Sequence, residues 1–199
     1  TANPFSASAL DRGRFAFVDE VWRSGWDREL GTVPPRAVTD RAIRAWRDGA
    51  ADRLVVHYMQ PHAPFLDADY GGQGEADHGP ETWGDPNFEN VWSQLRRGDL
   101  DRDRVWADYR RNLELVLEDV VLLLRSVDAR VTITADHGNC AGEHGLYGHP
   151  PGIAVPELRS VPWVSVEAED DGAYDPSAGE TVEGDDVDRE EQLAALGYV

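Results

Sequence analysis

Apolar residues along the 199-residue chain recur with two different periods. From Arg104 to about Arg125, Val105, Tyr109, Leu113, Val116, Val120 and Leu123/Leu124 return every three or four positions, which is the stripe of one long helix. Ala42, Ile43 and Trp46 share that spacing, with Thr39 or Asp40 available as a cap and Gly49 to end the helix. Two shorter runs, Leu54-Val55-Val56-His57-Tyr58-Met59 and Val131-Thr132-Ile133-Thr134-Ala135, are rich in β-branched and aromatic side chains and predict buried strands. The first stops at Gln60-Pro61-His62-Ala63-Pro64-Phe65, the second at Asp136-His137-Gly138. A third strand is expected over Val161–Val166. Strand, helix, strand in that order predicts an α/β sheet with some parallel pairing, joined by right-handed crossovers.

Between these runs the chain is punctuated. Residues 1–36 read as irregular structure, with Pro34-Pro35 as a break. Residues 66–103 read as a long surface excursion with one short helix near Phe88–Leu95, and long ordered loops in compact domains are often functional. Residues 167–189 are an acidic stretch of Gly, Ser and Asp that cannot bury itself and reads as a loop or mobile linker. Residues 190–199 read as a closing helix and tail, with Glu190–Leu196 amphipathic and Gly197 behind it. The organisation is therefore an α/β portion over 1–166, a linker over 167–189 and a terminal segment over 190–199.

Charge changes the picture of the surroundings more than of the fold. There are 38 acidic and 19 basic side chains, a net charge of −19, and every basic residue is arginine. Such a surface lacks the basic patch that releases counterions from nucleic acid or docks on an anionic membrane, so neither is expected as a partner. Seven Trp, six Tyr and five Phe supply the apolar area that a disordered acidic chain lacks. The acid excess must then lie outside a folded core, a composition suited to concentrated salt, where screening removes most self-repulsion. A single cysteine, Cys140, excludes an intramolecular disulfide. No apolar run approaches the ~20 residues of a membrane span and no signal peptide is visible, so a cytoplasmic protein is expected. The chain begins at Thr1 and its one methionine is Met59, which suggests the later portion of a longer protein.

Candidate chemistry collects where the strands end, the side on which open α/β sheets bind ligands. The first strand leads to His62; the second leads to Asp136-His137 and, through a glycine-rich loop, to His144 and His149. A carboxylate beside imidazoles suits zinc, manganese or magnesium, and calcium less well. A plainer reading is equally open on spacing alone: Asp-His-Gly after a strand is often a turn in which the aspartate accepts from a neighbouring amide. His57 reads as a hydrogen-bonded core histidine and His78 as a solvated one, while His144 fits a ligand and a structural histidine bridging two turns equally.

The stretch VTITADHGNCAGEHGLYGHPPGIAVPELRSVPWV resembles the C-terminal metal-binding segment of the sulfatases of the alkaline phosphatase superfamily. VVHYMQPHAPF resembles that family's Pro-His-x-Pro loop, YRRNLELVLEDVVLLL stands where its intervening helix does, and EEQLAALGYV resembles its Leu-Gly-Tyr ending. The resemblance implies an alkaline-phosphatase-like sheet with flanking helices, incomplete here because the family's N-terminal part has no counterpart. It implies Asp136 and His137 as ligands of a divalent metal ion (Mn, Zn, Mg or Ca). His62 and His149 would serve as catalytic groups on a small anionic ester, His62 at the oxyanion or the leaving oxygen. His149 stands where many of these sulfatases carry lysine, and Asn139 where glutamate is common. The family's nucleophile and remaining acidic ligands have no match in residues 1–60, and Cys140 lacks the Cys-x-Pro-x-Arg context. The expected activity is sulfate-ester hydrolysis by an intact enzyme, with the 199 residues alone inactive, since two ligands rarely hold a catalytic metal. Phosphodiesterase, phosphonate hydrolase and phosphoglycerol transferase chemistry of the same superfamily are the alternatives, as is a non-catalytic relative that binds an anion or a partner.

Overall fold

The computed structural model describes residues 1–70 and 90–176. His78 and the closing helix expected over Glu190–Leu196 lie outside them. Five α-helices occur in the described residues: α1 (Ser6–Ala9), α2 (Pro35–Arg47), α3 (Val91–Arg97), α4 (Arg102–Leu124) and α5 (Pro156–Arg159). The strands are β1 (Ala129–Thr134), β2 (Cys140–Ala141), β3 (Tyr147–Gly148) and β4 (Trp163–Ala168). Helices and small antiparallel sheets together make a mixed α/β structure.

Helices α2 and α4 form the layer that carries the rest. Ile43 and Ala42 of α2 meet Leu123 of α4 and Val127 just beyond it, and Leu54, Val56, Ala129, Val131 and Ala168 pack on that cluster. Arg36 and Asp119 tie the two helices together at 2.5 Å. The long helix follows its apolar period and starts on Asp101, whose side chain accepts from the Arg104 amide at 2.8 Å. Helix α2 begins earlier than its polar residues suggested. Pro35 occupies the first turn, where a missing N–H costs nothing, so Thr39 and Asp40 lie inside the helix. Thr39 Oγ1 bonds back to the Pro35 carbonyl and meets the Tyr58 hydroxyl at 2.8 Å, while Asp40 accepts from Tyr174 at 2.7 Å.

The sheet departs from expectation. β1 pairs with β4 in antiparallel register, Ala129 opposite Ala168 and Thr134 opposite Trp163, and no parallel ladder occurs among the described residues. The connection between β1 and β4 holds the small β2–β3 ladder and the four-residue α5 but no long helix to pack across the sheet face as a parallel crossover does, and the chain returns antiparallel. The third strand is shifted two residues past Val161–Val166, to Trp163–Ala168. Residues 54–59 form no ladder. They keep a strand-like alternation, with Leu54 and Val56 on the helix layer and Val55 83 % exposed. α4 does separate residues 54–59 from β1 in sequence, but the two are not hydrogen-bonded neighbours.

Two further cores flank this layer. One gathers Trp22, Val33, Val38 and Met59; the other gathers Phe65, Val91, Leu95 and Val105 with the rings of Trp92 and Tyr109. α3 begins with a capping box, Asn90 and Ser93 each satisfying the other's backbone amide at 2.9 Å. The first part of the acidic stretch is irregular but strapped down. Arg47 grips both oxygens of Asp170 at 2.8 Å, and Arg125 grips Asp171 at 2.8 and 3.0 Å.

Candidate functional site

His62 sits in a proline-rich turn in which the Gln60-Pro61 and Ala63-Pro64 bonds are both cis. What holds the turn is a side chain that spacing alone did not single out. Asn112, 1 % exposed on the inner face of α4, donates to the His62 carbonyl at 3.1 Å and accepts from the Leu66 amide at 3.1 Å. A polar residue lying four positions before Val116 on an apolar helical stripe is the signal that marks it.

Asp136, His137 and Gly138 leave the end of β1 in a tight turn. Asp136 Oδ1 accepts from the His137 amide at 2.9 Å, so the plain turn geometry is realised, and the carboxylate's other oxygen lies 3.7 Å from His137 Nε2. Gly138 is required by close approach: its amide donates to the Leu158 carbonyl at 2.9 Å, and a Cβ there would meet the Glu157 carbonyl oxygen at 1.9 Å. This contact seats the turn on α5. The glycine-rich loop then folds back through β2 and β3 and delivers His149.

Three of the four expected site residues thereby meet as rings. His137 and His149 lie 4.4 Å apart between ring centroids, His62 and His149 5.4 Å apart, with Asp136 at the edge of the group. His57 stays apart, its Nδ1 on the Thr1 hydroxyl at 3.2 Å. His144 lies 3.4 Å from Glu157 and bridges its loop to α5.

The hydrogen bonds fix tautomers. Nδ1 of His62 faces the Ala63 carbonyl and Nδ1 of His137 faces the Gly138 carbonyl at 2.8 Å. A carbonyl oxygen only accepts, so each Nδ1 carries the proton and each Nε2 presents a lone pair when the ring is neutral. Nδ1 of His149 meets Asn139 Oδ1 at 3.0 Å, which imposes the same tautomer. Burial, with the neighbouring imidazoles of His62 and His137 adding to it, pushes His149 down to about 4. Burial also lowers His62, against the opposing pull of the Ala63 carbonyl. His62 and His149 are therefore neutral bases at pH 7. Cys140 is buried, and burial raises its thiol, which keeps it protonated and unreactive.

Among the described residues no group of three or more His, Cys, Asp or Glu side chains is arranged to hold a metal ion. No helix among them is long and apolar enough to cross a membrane. No protein-family model matches the chain, and neither the curated proteins nor the solved structures contain a match to it.

Proposed function

We propose that this chain contributes His62, Asp136, His137 and His149 to a hydrolase centre for a small anionic ester, of the sulfatase kind on an alkaline-phosphatase-like sheet. The observation that supports this reading is the meeting of three imidazoles from three separate loops, with a carboxylate beside them. Asp136 and His137 offer two donors to a divalent cation, but two donors do not make a metal site, and no step is assigned to one. What the chain's own groups supply is proton handling. An ester anion beside His62 raises the affinity of its ring for a proton, which must enter at Nε2 because Nδ1 is committed to Ala63. From Nε2 it can pass to the leaving oxygen.

One observation favours a phosphate monoester or a phosphonate that keeps a second acidic proton over a sulfate. His149 is a neutral imidazole packed against another ring, with Nε2 as an acceptor. A sulfate group at neutral pH has only acceptor oxygens, whereas a phosphate or phosphonate can carry a proton and donate it to such a nitrogen. Imidazole ¹⁵N shifts of the chain in concentrated KCl, titrated with inorganic phosphate and separately with sulfate, test this. Phosphate should move His62 and His149 more than sulfate does, and His62→Gln should abolish the response at His149. Silence with both anions would remove the reading. Turnover of an aryl sulfate or phosphodiester by the chain alone would overturn its assignment as part of a centre.

A further inference from the structure

An ester anion offers oxygens that chiefly accept hydrogen bonds, so its seat needs donors. The imidazole group is short of them. A neutral His62 or His149 has its one N–H turned to the Ala63 carbonyl or to Asn139 and shows a lone pair at Nε2. The backbone amides of the turn after β1 are taken too, that of His137 by Asp136 at 2.9 Å and that of Gly138 by Leu158 at 2.9 Å. Asn139 Nδ2 carries no hydrogen bond, but it is fully buried and has no surface to offer a ligand.

A free donor stands on α4. Tyr109 lines the same cavity as His62, Asp136, His137 and His149, and its hydroxyl makes no hydrogen bond among the described residues. Unlike Asn139 Nδ2, that hydroxyl is not sealed off. Burial pushes the phenol up to about 12 and the charge of Asp136 adds to the rise, so the hydroxyl lies inside the protein and within the field of that carboxylate. Three rings fix the side chain. Trp106 stacks on it at 5.0 Å between centroids and 7°, Trp92 meets it edge-on at 5.9 Å, and Phe65 does so at 6.2 Å. Two of these contacts tie it to the site. Phe65 follows His62 by three residues, and Trp92 covers Gly148, where a Cβ would stand 3.1 Å from the indole, one residue before His149. Tyr109 is also one helical turn from Asn112, whose amide holds the His62 turn.

We propose that the Tyr109 hydroxyl is a hydrogen-bond donor to the bound anion, supplying from α4 the donor that the imidazoles lack. With His149 Nε2 as acceptor and Tyr109 Oη as donor, the site suits a group that presents both a P–OH and a bare oxygen, as a monohydrogen phosphate ester or phosphonate does. The proposal rests on the ester-hydrolase reading, and it asks no proton to leave the phenol.

Titration of the chain with inorganic phosphate in concentrated KCl tests it through two signals, the imidazole ¹⁵N shifts of His62 and His149 and the Cζ ¹³C shift of Tyr109. Tyr109→Phe keeps the ring contacts and removes only the hydroxyl. Its phosphate affinity, read at His62, should fall roughly tenfold, the loss expected for one hydrogen bond to a charged group, with the urea midpoint unchanged. In the unsubstituted chain Tyr109 Cζ should shift over the same phosphate range as His62. Unchanged affinity in Tyr109→Phe would overturn the donor role while leaving the ester reading in place. So would a Cζ that stays still while His62 moves, and this second signal decides the matter if the variant proves unstable. No response at His62 or His149 in the unsubstituted chain would remove the ester reading and the donor role together.

Discussion

Asn112 shows how much a single buried amide can decide. Its side chain joins the helix interior to three backbone groups of the turn that carries His62: the carbonyls of His62 and Pro64 and the amide of Leu66. Asn112→Leu keeps the shape but strands those groups away from water, at a cost on the order of 2–4 kcal/mol. The urea midpoint should drop accordingly with an unchanged slope, and His62 should lose its response to anions even where the variant remains folded. An effect on the midpoint below about 0.5 kcal/mol would show that the turn holds itself. The histidines give a second expectation, for the metal-free chain. His149 binds its proton less tightly when folded, at about 4 against an ordinary 6.5. Between those values the unfolded chain carries the extra proton, so stability rises with pH there, falls as pH drops below about 6.5, and levels off below about 4. The contribution is on the order of 2–3 kcal/mol. Since the acid-rich surface also relaxes on acidification, the comparison that isolates it is with His149→Gln: between pH 7 and 5 the wild-type midpoint should fall relative to the variant. Parallel curves would refute it.

Among the elements, those whose formation depends on local periodicity were legible. The stripe from Val105 to Leu124 has a boundary set by a cap, Asp101, four residues before the stripe starts, and the helix bears the stripe out. Four consecutive β-branched residues, Val131 to Thr134, carried the strand expectation. β1 forms there but runs Ala129–Thr134, leaves Ala135 outside and alternates between half-buried and exposed positions, because β4 covers only its edge and not both faces. The partner of that strand was not legible. Strand pairing depends on what lies beside it in space, and apolar content alone did not reveal that β1 bonds to β4 rather than to 54–59. The start of α2 was missed for a different reason. Thr39 and Asp40 are good caps on paper, but a proline pair four residues earlier sets the first turn before they are reached, and they turn inward to Tyr58 and Tyr174. At the site, the loops bearing His62, His137 and His149 could be picked out by residue type and position after strands. Their tautomers could not, because these are fixed by the carbonyl of the next residue in each turn, Ala63 or Gly138, and by Asn139, whose orientations exist only after folding.

For the whole molecule, the charge balance sets two effects against each other. Ion pairs such as Arg36–Asp119 and Arg47–Asp170 are weakened by salt, while the self-repulsion of a net −19 is relieved by it. Exposed pairs contribute about 0–1 kcal/mol each, so the repulsion should dominate. The thermal midpoint should therefore rise as KCl goes from about 0.1 M, where the screening length is ~10 Å, to about 1 M, where it is ~3 Å. A falling midpoint would mean that the arginine pairs hold the fold together more strongly than the acid excess drives it apart. The open backbone edge of 54–59 also bears on how long the molecule survives. Proteases grip a substrate as an added strand, and 54–59 already presents an unpaired edge with strand-like alternation. Arg53, exposed on the bend just before it, is the side chain after which trypsin-like enzymes cut. The exposed bend is thus an invitation to cleavage at Arg53-Leu54, which makes the chain's lifetime in trypsin a measure of how firmly 54–59 is held on the helix layer.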